Sequence, residues 1–344
     1  MAKRALITGI TGQDGAYLAK LLIEKGYEVF GAVRRSSSLF RPRLQELGIE
    51  SGISFLPFDL GDFGNMQRTI EQVAPDEIYN LAAQSFVTMS FEQPVYTAET
   101  TAVGVTRLLE VLRHGRMKPR FYQASSSEMF GKVRQTPQRE DTPFYPRSPY
   151  GVAKTYAHFI TINYREAYNL HACSGILFNH ESPLRGMEFV TRKVTLAFAR
   201  IRHGKQDVLD MGNLDAQRDW GFAGDYVDGM WRMLQQEKPE DYVLATGKAR
   251  SVREFVELVA RLSGYDLVWK GTGLDETGVD RKSGRTLVRI DPAFFRASEV
   301  DLLIGAADKA AAELDWRPST TLEQLAEMMV KADIDRVSRD GVHF

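Results

Sequence analysis

The sequence predicts an α/β fold, a doubly wound parallel sheet with a smaller, mixed α/β lobe toward the C-terminus. Three observations carry this expectation. Apolar runs of strand length alternate with helical patterns through the first half of the chain. Those runs are apolar throughout, as strands covered on both faces must be. After Asn179 the alternation loosens, as it would where a second lobe is built. At 344 residues, 43% apolar and 10% aromatic, the chain has the length for two intertwined lobes and enough apolar surface to fill them, which excludes disorder.

The elements are taken in chain order. "RALITGI" is the first strand, and in "AYLAKLLIEKGYE" the residues Leu18, Leu21 and Leu22 share one helix face, with Gly26 as the stop. "VFGAV", "ISFLPF", "EIYNLAA", "RFYQAS" and "HACSGILFN" are further strands. Between them "MQRTIEQVA", "VTRLLEVLRHG" and a stretch from about Pro149 to Tyr168 are helices. "VTRKVTLAFARIRHG" and "SVREFVELVARLSG" are later helices, the second with Ser251 as N-cap and Gly264 as stop. "DYVLATG" is a strand that re-enters the first sheet. The first lobe is therefore expected over residues 1–178, with return segments near 217–247 and 289–297, and the second lobe over 179–344. The glycine-rich, charged stretch 271–284 is expected to be a mobile loop.

Lys plus Arg (44) nearly balances Asp plus Glu (45), which argues against a chain that coats nucleic acid or an acidic membrane. Cys173 stands alone among apolar neighbours, so no internal disulfide forms, and no Cys/His spacing suggests a metal site. The N-terminus runs straight into a strand, and no segment approaches the roughly 20 apolar residues of a membrane span. The expectation is a cytoplasmic protein without nucleic-acid or membrane partners.

Chemistry concentrates in three places. "TGITGQDG" joins the first strand to the first helix with Gly9, Gly12 and Gly15 spaced GxxGxxG. Glycines there allow a tight turn, approach of backbone N–H groups to a pyrophosphate, and close helix–strand packing, the Rossmann-type arrangement. At the end of the second strand, "GAVRRSSS" has no acid to read a ribose 2′-hydroxyl. Arg34 and Arg35 with Ser36 and Ser37 suit the 2′-phosphate of NADP instead. "RSPYGVAK" opens a helix, with Ser148 as N-cap and Pro149 at its first position. Tyr150 and Lys154 then share a face, where a nearby ammonium is expected to lower the phenol's pKa. About two dozen residues upstream, "ASSSEMFG" places the acid Glu128 beside a strand end.

Together with "YNLAAQSFV", "LFNHESPLRG", "FVTRK" and "GNLDAQRDWG", these motifs make the chain resemble the extended short-chain dehydrogenase/reductases, and within them the GDP-mannose 4,6-dehydratases. The likeness runs over essentially the whole chain. It implies an NADP site built from the turn Gly9, Ile10, Thr11, Gly12, Gln13, Asp14 and Gly15, from Arg34, Asp59 and Leu60, and from Leu81, Ala82, Ala83, Gln84 and Ser85. Tyr96, Lys154, His180 and Arg185 would complete it. Ser126, Glu128 and Tyr150 would be catalytic, supported by Lys154. Those three and Ser85 would meet the substrate, whose GDP half would fall to Asn179, Lys193, Arg218, Arg296 and Glu299. Phe86 stands where many relatives carry His, "RASEV" replaces a more usual Arg-Pro at 296–297, and "GAADKA" (305–310) lacks the usual Gly-Asp. Ser126 stands where Thr is also common.

The implied activity is a hydro-lyase reaction on GDP-mannose, with Glu128 as the acid–base group that a mere epimerase or reductase would not need. A same-fold epimerase or reductase, a dehydratase of a GDP-mannoheptose, and a non-enzymatic nucleotide-binding protein are the alternatives. The basic loop 34–43 in such proteins reaches a neighbouring subunit, which implies a homo-oligomer, a tetramer.

Overall fold

The computed structural model describes residues 2–35, 41–295, 302–339 and 341. Fourteen strands are described: β1 (Arg4–Thr8), β2 (Glu28–Val33), β3 (Ile53–Pro57), β4 (Glu77–Asn80), β5 (Arg120–Ser126), β6 (Ala172–Leu177), β7 (Asn179–Glu181), β8 (Leu209–Met211), β9 (Gln217–Phe222), β10 (Tyr242–Leu244), β11 (Ala249–Ser251), β12 (Leu267–Lys270), β13 (Thr277–Asp280) and β14 (Thr286–Ile290).

Seven of them form one sheet in the order β10-β6-β5-β4-β1-β2-β3, and every pairing in it is parallel. The order reverses between β1 and β4, and ligands of such sheets bind outside the carboxyl ends of the strands at that point. Helices cover both faces. The helix Gln13–Glu24 packs its apolar face with the helix Ala223–Gln235 on one side, and the helices Gly104–His114 and Pro149–Tyr168 cover the other.

At the switch point three fully buried polar side chains tie the strand ends together. The Thr8 hydroxyl donates to Asn80 Oδ1 (2.7 Å), and Asn80 Nδ2 donates to Gln123 Oε1 (2.8 Å). Backbone N–H groups of Leu81 and Ala82 donate back to Thr8 Oγ1, each at 3.1 Å. Buried polar groups at a strand end are tolerable only when paired in this way.

The second lobe has a three-stranded sheet, β11-β9-β7, and a four-stranded sheet, β12-β13-β14-β8. The chain returns to the first lobe from Ala223, through a helix that buries Tyr226, Met230 and Met233 and then through β10 at the sheet edge. The segment before it, Gln217–Phe222, pairs with β7 and β11 instead. The return expected near 289–297 is not to the large sheet. Leu287 and Val288 of β14 are buried in the second lobe's core, and β14 pairs with β8 and β13.

The stretch 271–284 is also not a loop throughout. Thr277–Asp280 forms β13, antiparallel to both β12 and β14. Gly278 leaves room there for Trp269 and Val288, each of which would lie 3.1 Å from an added Cβ.

The helix Leu322–Ser338, started by a capping box at Thr321 and Gln324, closes the second lobe. Its Asp333 is fully buried and accepts from Arg192 Nε (2.9 Å), Thr195 Oγ1 (2.7 Å) and Arg336 Nη1 (2.8 Å). Asp333→Ala would leave a buried guanidinium uncompensated, and urea unfolding should show a loss of roughly 3–5 kcal/mol. A loss under about 1 kcal/mol would mean that water relieves the charge.

Candidate active site

The first turn fits a pyrophosphate. Gly9 has φ of 68°, and a Cβ on it would stand 2.9 Å from Ala82 N and from Leu81 C. A Cβ on Gly15 would lie 2.4 Å from Gly9 O. These are backbone atoms that cannot turn aside, so positions 9 and 15 accept only glycine. The helix that comes next has Gly12 as its N-cap and no side-chain cap, which leaves its first N–H groups for an anion. Ile10 packs into the core, while Thr11 is exposed.

Gln13, Asp14 and His180 are brought together, with their side chains engaged on one another. Gln13 Nε2 donates to the His180 carbonyl (3.0 Å), and the Ser182 hydroxyl donates to Gln13 Oε1 (2.7 Å). His180 Nδ1 lies 2.7 Å from the Phe178 carbonyl, and Nε2 lies 2.8 Å from Asp14 Oδ2. The Phe178 carbonyl can only accept, so Nδ1 donates, and the charge of Asp14 raises the ring's pKa and favours the imidazolium. It stacks on Tyr226 at 4.7 Å.

Around the sheet's carboxyl edge, Arg34 Nη1 donates to the Tyr96 hydroxyl (2.7 Å), and Arg34, Arg35 and Tyr96 are exposed. Asp59 Oδ1 accepts from Gly61 N (2.8 Å), closing the turn after β3, and the Leu60 side chain is in the core. Leu81 and Ala82 are held by Thr8. The Gln84 backbone N–H donates to Thr101 Oγ1 (3.1 Å), and its Oε1 is buried with no partner among the described residues. Ala83 is half-buried and Ser85 is exposed. Ser36, Arg296 and Glu299 lie outside the described residues.

The groups expected to react sit where β5 ends. Ser126 is its last residue, and its hydroxyl accepts from Glu128 N (3.2 Å) and lies near enough to the Tyr150 phenol to lower its pKa. Glu128 lies in the single 3₁₀ turn Ser127–Met129. The helix Pro149–Tyr168 starts against that turn. Ser148 caps it by accepting from Gly151 N (3.0 Å), and a Cβ on Gly151 would come within 2.8 Å of the Glu128 carbonyl. Gly151 therefore allows the approach that puts Tyr150 beside Ser126 and Glu128. Sequence reasoning missed this glycine, whose only local signal is its place directly after the tyrosine.

The expected acidification of Tyr150 is not found. Burial pushes the phenol up to about 12; the Ser126 hydrogen bond pulls it down, and the charge of Glu128 pushes it further up. Lys154 is not among the groups that lower it. Its ammonium is 5.8 Å from the centre of the Tyr150 ring and donates to the Ala124 carbonyl at 2.7 Å. Burial lowers Lys154 itself to about 8.

The residues expected at the GDP half come from different elements. Asn179 opens β7, and its Oδ1 is buried with no partner among the described residues, an acceptor that a ligand could satisfy. Lys193 lies 3.1 Å above the Phe294 ring, and burial brings its pKa to about 8 against the charges of Asp210 and Asp291. Arg218 is buried in β9 and donates to the Gln217 carbonyl (2.9 Å). The Arg185 guanidinium stacks on Phe189 (3.6 Å), and its Nε is 3.0 Å from Glu181 Oε2.

Comparison with known proteins gives one family. A family model described as GDP-mannose 4,6 dehydratase matches residues 6–329. A GDP-mannose 4,6-dehydratase of Sinorhizobium fredii is 54% identical over 96% of this chain and 97% of its own length. The corresponding human protein is 50% identical over 96% of this chain and 91% of its own. Among solved structures, a dTDP-glucose 4,6-dehydratase from Streptomyces venezuelae with NAD bound superposes with a TM-score of 0.82 at 21% identity, covering 98% of both chains. RMD from Pseudomonas aeruginosa complexed with NADPH reaches 0.77 at 21% identity over 97% of this chain and all of its own. At these identities the structures establish the fold alone.

The Asp14–His180 pair makes stability depend on pH. Burial pushes Asp14 up, but His180 draws it down to about 2, while burial pushes His180 down and Asp14 raises it above its usual 6.5. The Asp14 contribution is present above its usual 3.8 and is lost as pH falls toward about 2. That of His180 is full below 6.5 and is lost as pH rises through the raised value. The gap in urea stability between wild type and Asp14→Asn should therefore be widest between about pH 4 and 6.5 and should shrink on either side. A constant gap up to about pH 9 would mean that His180 is neutral.

Proposed function

The chain belongs to the GDP-mannose 4,6-dehydratase family, and from that membership we propose that it converts GDP-D-mannose to GDP-4-keto-6-deoxy-D-mannose with tightly held NADP. It acts as a hydro-lyase. The observation that carries the reading is the convergence of Ser126, Tyr150 and Glu128 at the end of β5, where the helix Pro149–Tyr168 meets the 3₁₀ turn. The glycine turn would hold the pyrophosphate, Arg34 and Arg35 with Ser36 the 2′-phosphate, and Leu81–Ser85 the nicotinamide side. Asn179, Lys193 and Arg218, with Arg296 and Glu299, would hold the GDP half of the substrate.

Loss of water across C5 and C6 of a hexose is difficult because the C5 proton is not acidic. A ketone at C4 makes it an α-proton. As the phenolate, its own proton having first passed to solvent, Tyr150 accepts the C4 hydroxyl proton while Ser126 hydrogen-bonds the oxygen. Glu128 then removes the C5 proton and passes one to the departing 6-hydroxyl. Bound NADP would supply the hydride acceptor at C4 and the hydride donor at C6, and the proton that Tyr150 took from the C4 hydroxyl returns to C5, so there is no net redox change. Glu128 is one of the groups that hold the Tyr150 pKa up, so the two proton transfers are coupled electrostatically.

The surface of the helix bearing Tyr150 fits the oligomer that the family reading carries with it. Val152, Tyr156 and Phe159 form an exposed apolar stripe along the helix Pro149–Tyr168, on the side away from the sheet. Such a stripe is suited to a second copy of the chain, within the cytoplasmic homotetramer expected of the basic loop 34–43.

The decisive test is incubation with GDP-mannose and NADP, following product mass for loss of one water. A product of unchanged mass would point to an epimerase, and net NADPH consumption to a reductase. Titration of the cofactor-free protein should show tighter binding of NADP than of NAD; a preference for NAD would remove Arg34 and Arg35 from the 2′-phosphate site. Glu128→Gln should lower turnover by ~10²- to 10⁴-fold while the first hydride transfer survives, so that NADPH accumulates on the enzyme. Tyr150→Phe should instead give no NADPH in a single turnover. Glu128→Gln that dehydrates at the wild-type rate would exclude Glu128 as the C5 base.

A further inference from the structure

The helix Pro149–Tyr168 carries a third inward residue on the Tyr150–Lys154 stripe, one turn further on. His158 is 3% exposed, and its Nδ1 is 3.0 Å from the Ser125 hydroxyl. Its ring is set edge-on against Phe144 (centroids 5.3 Å apart) and Phe159 (5.6 Å). Beyond the ring lies a surface cavity of about 390 Å³.

Three residues four apart on one helix thus grip three successive residues of β5. Tyr150 lies beside Ser126, Lys154 holds the Ala124 carbonyl at 2.7 Å, and His158 holds the Ser125 side chain. The grip on Ser125 bears on Ser126 because successive strand side chains point to opposite faces. Fixing the direction of one fixes the direction of the next. Ser126 is the last residue of its strand, with a 3₁₀ turn directly after it, so no ladder beyond it restrains its orientation.

We propose that His158 is a positioning residue for the dehydration, holding Ser125 so that the Ser126 hydroxyl stays aimed at Tyr150. The role rests on the dehydratase reading. It goes beyond it in assigning function to a side chain that touches no reacting atom. A histidine that merely fills the core would owe its place to ring volume, and the two roles respond differently to substitution.

His158→Phe keeps the ring against Phe144 and Phe159 and removes only the bond to Ser125. Turnover of GDP-mannose should fall about 10- to 100-fold, as expected for a small misplacement of an acid–base pair. KM for GDP-mannose and the cofactor content of the purified protein should stay at wild-type values. His158→Asn, whose amide oxygen can take the place of Nδ1, should restore most of the rate. Ser125→Ala should match His158→Phe, and the double variant should cost no more than either alone. Should His158→Phe not fold, Ser125→Ala carries the same expectation by itself. Wild-type kcat in Ser125→Ala or His158→Phe, no rescue by Asn, or multiplying losses in the double variant would each overturn the assignment. Loss of KM and cofactor content in step with kcat would overturn it as well. A wild-type protein inactive on GDP-mannose would instead count against the dehydratase reading.

Discussion

One hydrogen bond, from the Thr8 hydroxyl to Asn80 Oδ1, anchors the framework on which the site is built. It joins the two strands between which the sheet order reverses, and Asn80 passes the restraint to Gln123 in β5. Thr8 also accepts from Leu81 and Ala82, whose backbone stands so close to Gly9 that no Cβ fits between them. The glycine turn, the Leu81–Ser85 segment and the Ser126 end of β5 therefore share one buried framework. Its three side chains are each only 1% exposed, so an unpaired member would cost about 1–3 kcal/mol, and the ladder holds together.

Burial shapes the chemistry as strongly as proximity does. Tyr150 and Lys154 are moved in opposite directions, the phenol up and the ammonium down, because burial penalises the charged form of each. The site thus begins with a neutral phenol beside a carboxylate. Asp14 and His180 form a charge pair that joins the first helix to β7. Asp14 is drawn down to about 2, so it stays ionised throughout the neutral range.

Much of this was legible in the residues. The strands of the large sheet, the glycine turn and the Ser148–Pro149 start of the catalytic helix obey local rules of periodicity, capping and backbone freedom, and the structure places them so. What was hidden depends on partners distant in sequence. Val279 is one apolar residue among glycines and charges, and only pairing with β12 and β14 makes its segment a strand. The contacts of Gln13 and Asp14 with Ser182 and His180, more than 160 residues away, cannot be read from the turn itself. Lys154 is spaced as a helper of Tyr150, yet its proton is offered to the Ala124 carbonyl, which no pattern in the helix reveals. Ser36, Arg296 and Glu299, also expected at the site, fall outside the described residues.

The two lobes meet across three successive carbonyls. Arg192, from the second lobe, donates to Pro183 O (2.9 Å) and Arg185 O (2.8 Å), and Arg43, from the first, donates to Leu184 O (2.7 Å). Arg43 also reaches Thr11 O (3.3 Å) in the glycine turn, and Asp333 holds Arg192 from behind. A guanidinium presents several donors in a fixed plane, so each of these side chains locks the relative position of the backbone it spans. The segment that carries His180 and Arg185 is consequently set by both lobes at once. A shift of the C-terminal helix would be transmitted through Asp333 and Arg192 to the carbonyls beside Arg185, and through Arg43 to the glycine turn. Ser126, Glu128 and Tyr150 belong to the first lobe, and Lys193 and Arg218, the cations proposed for the GDP half, to the second, so their registration depends on this clamp as much as on either core.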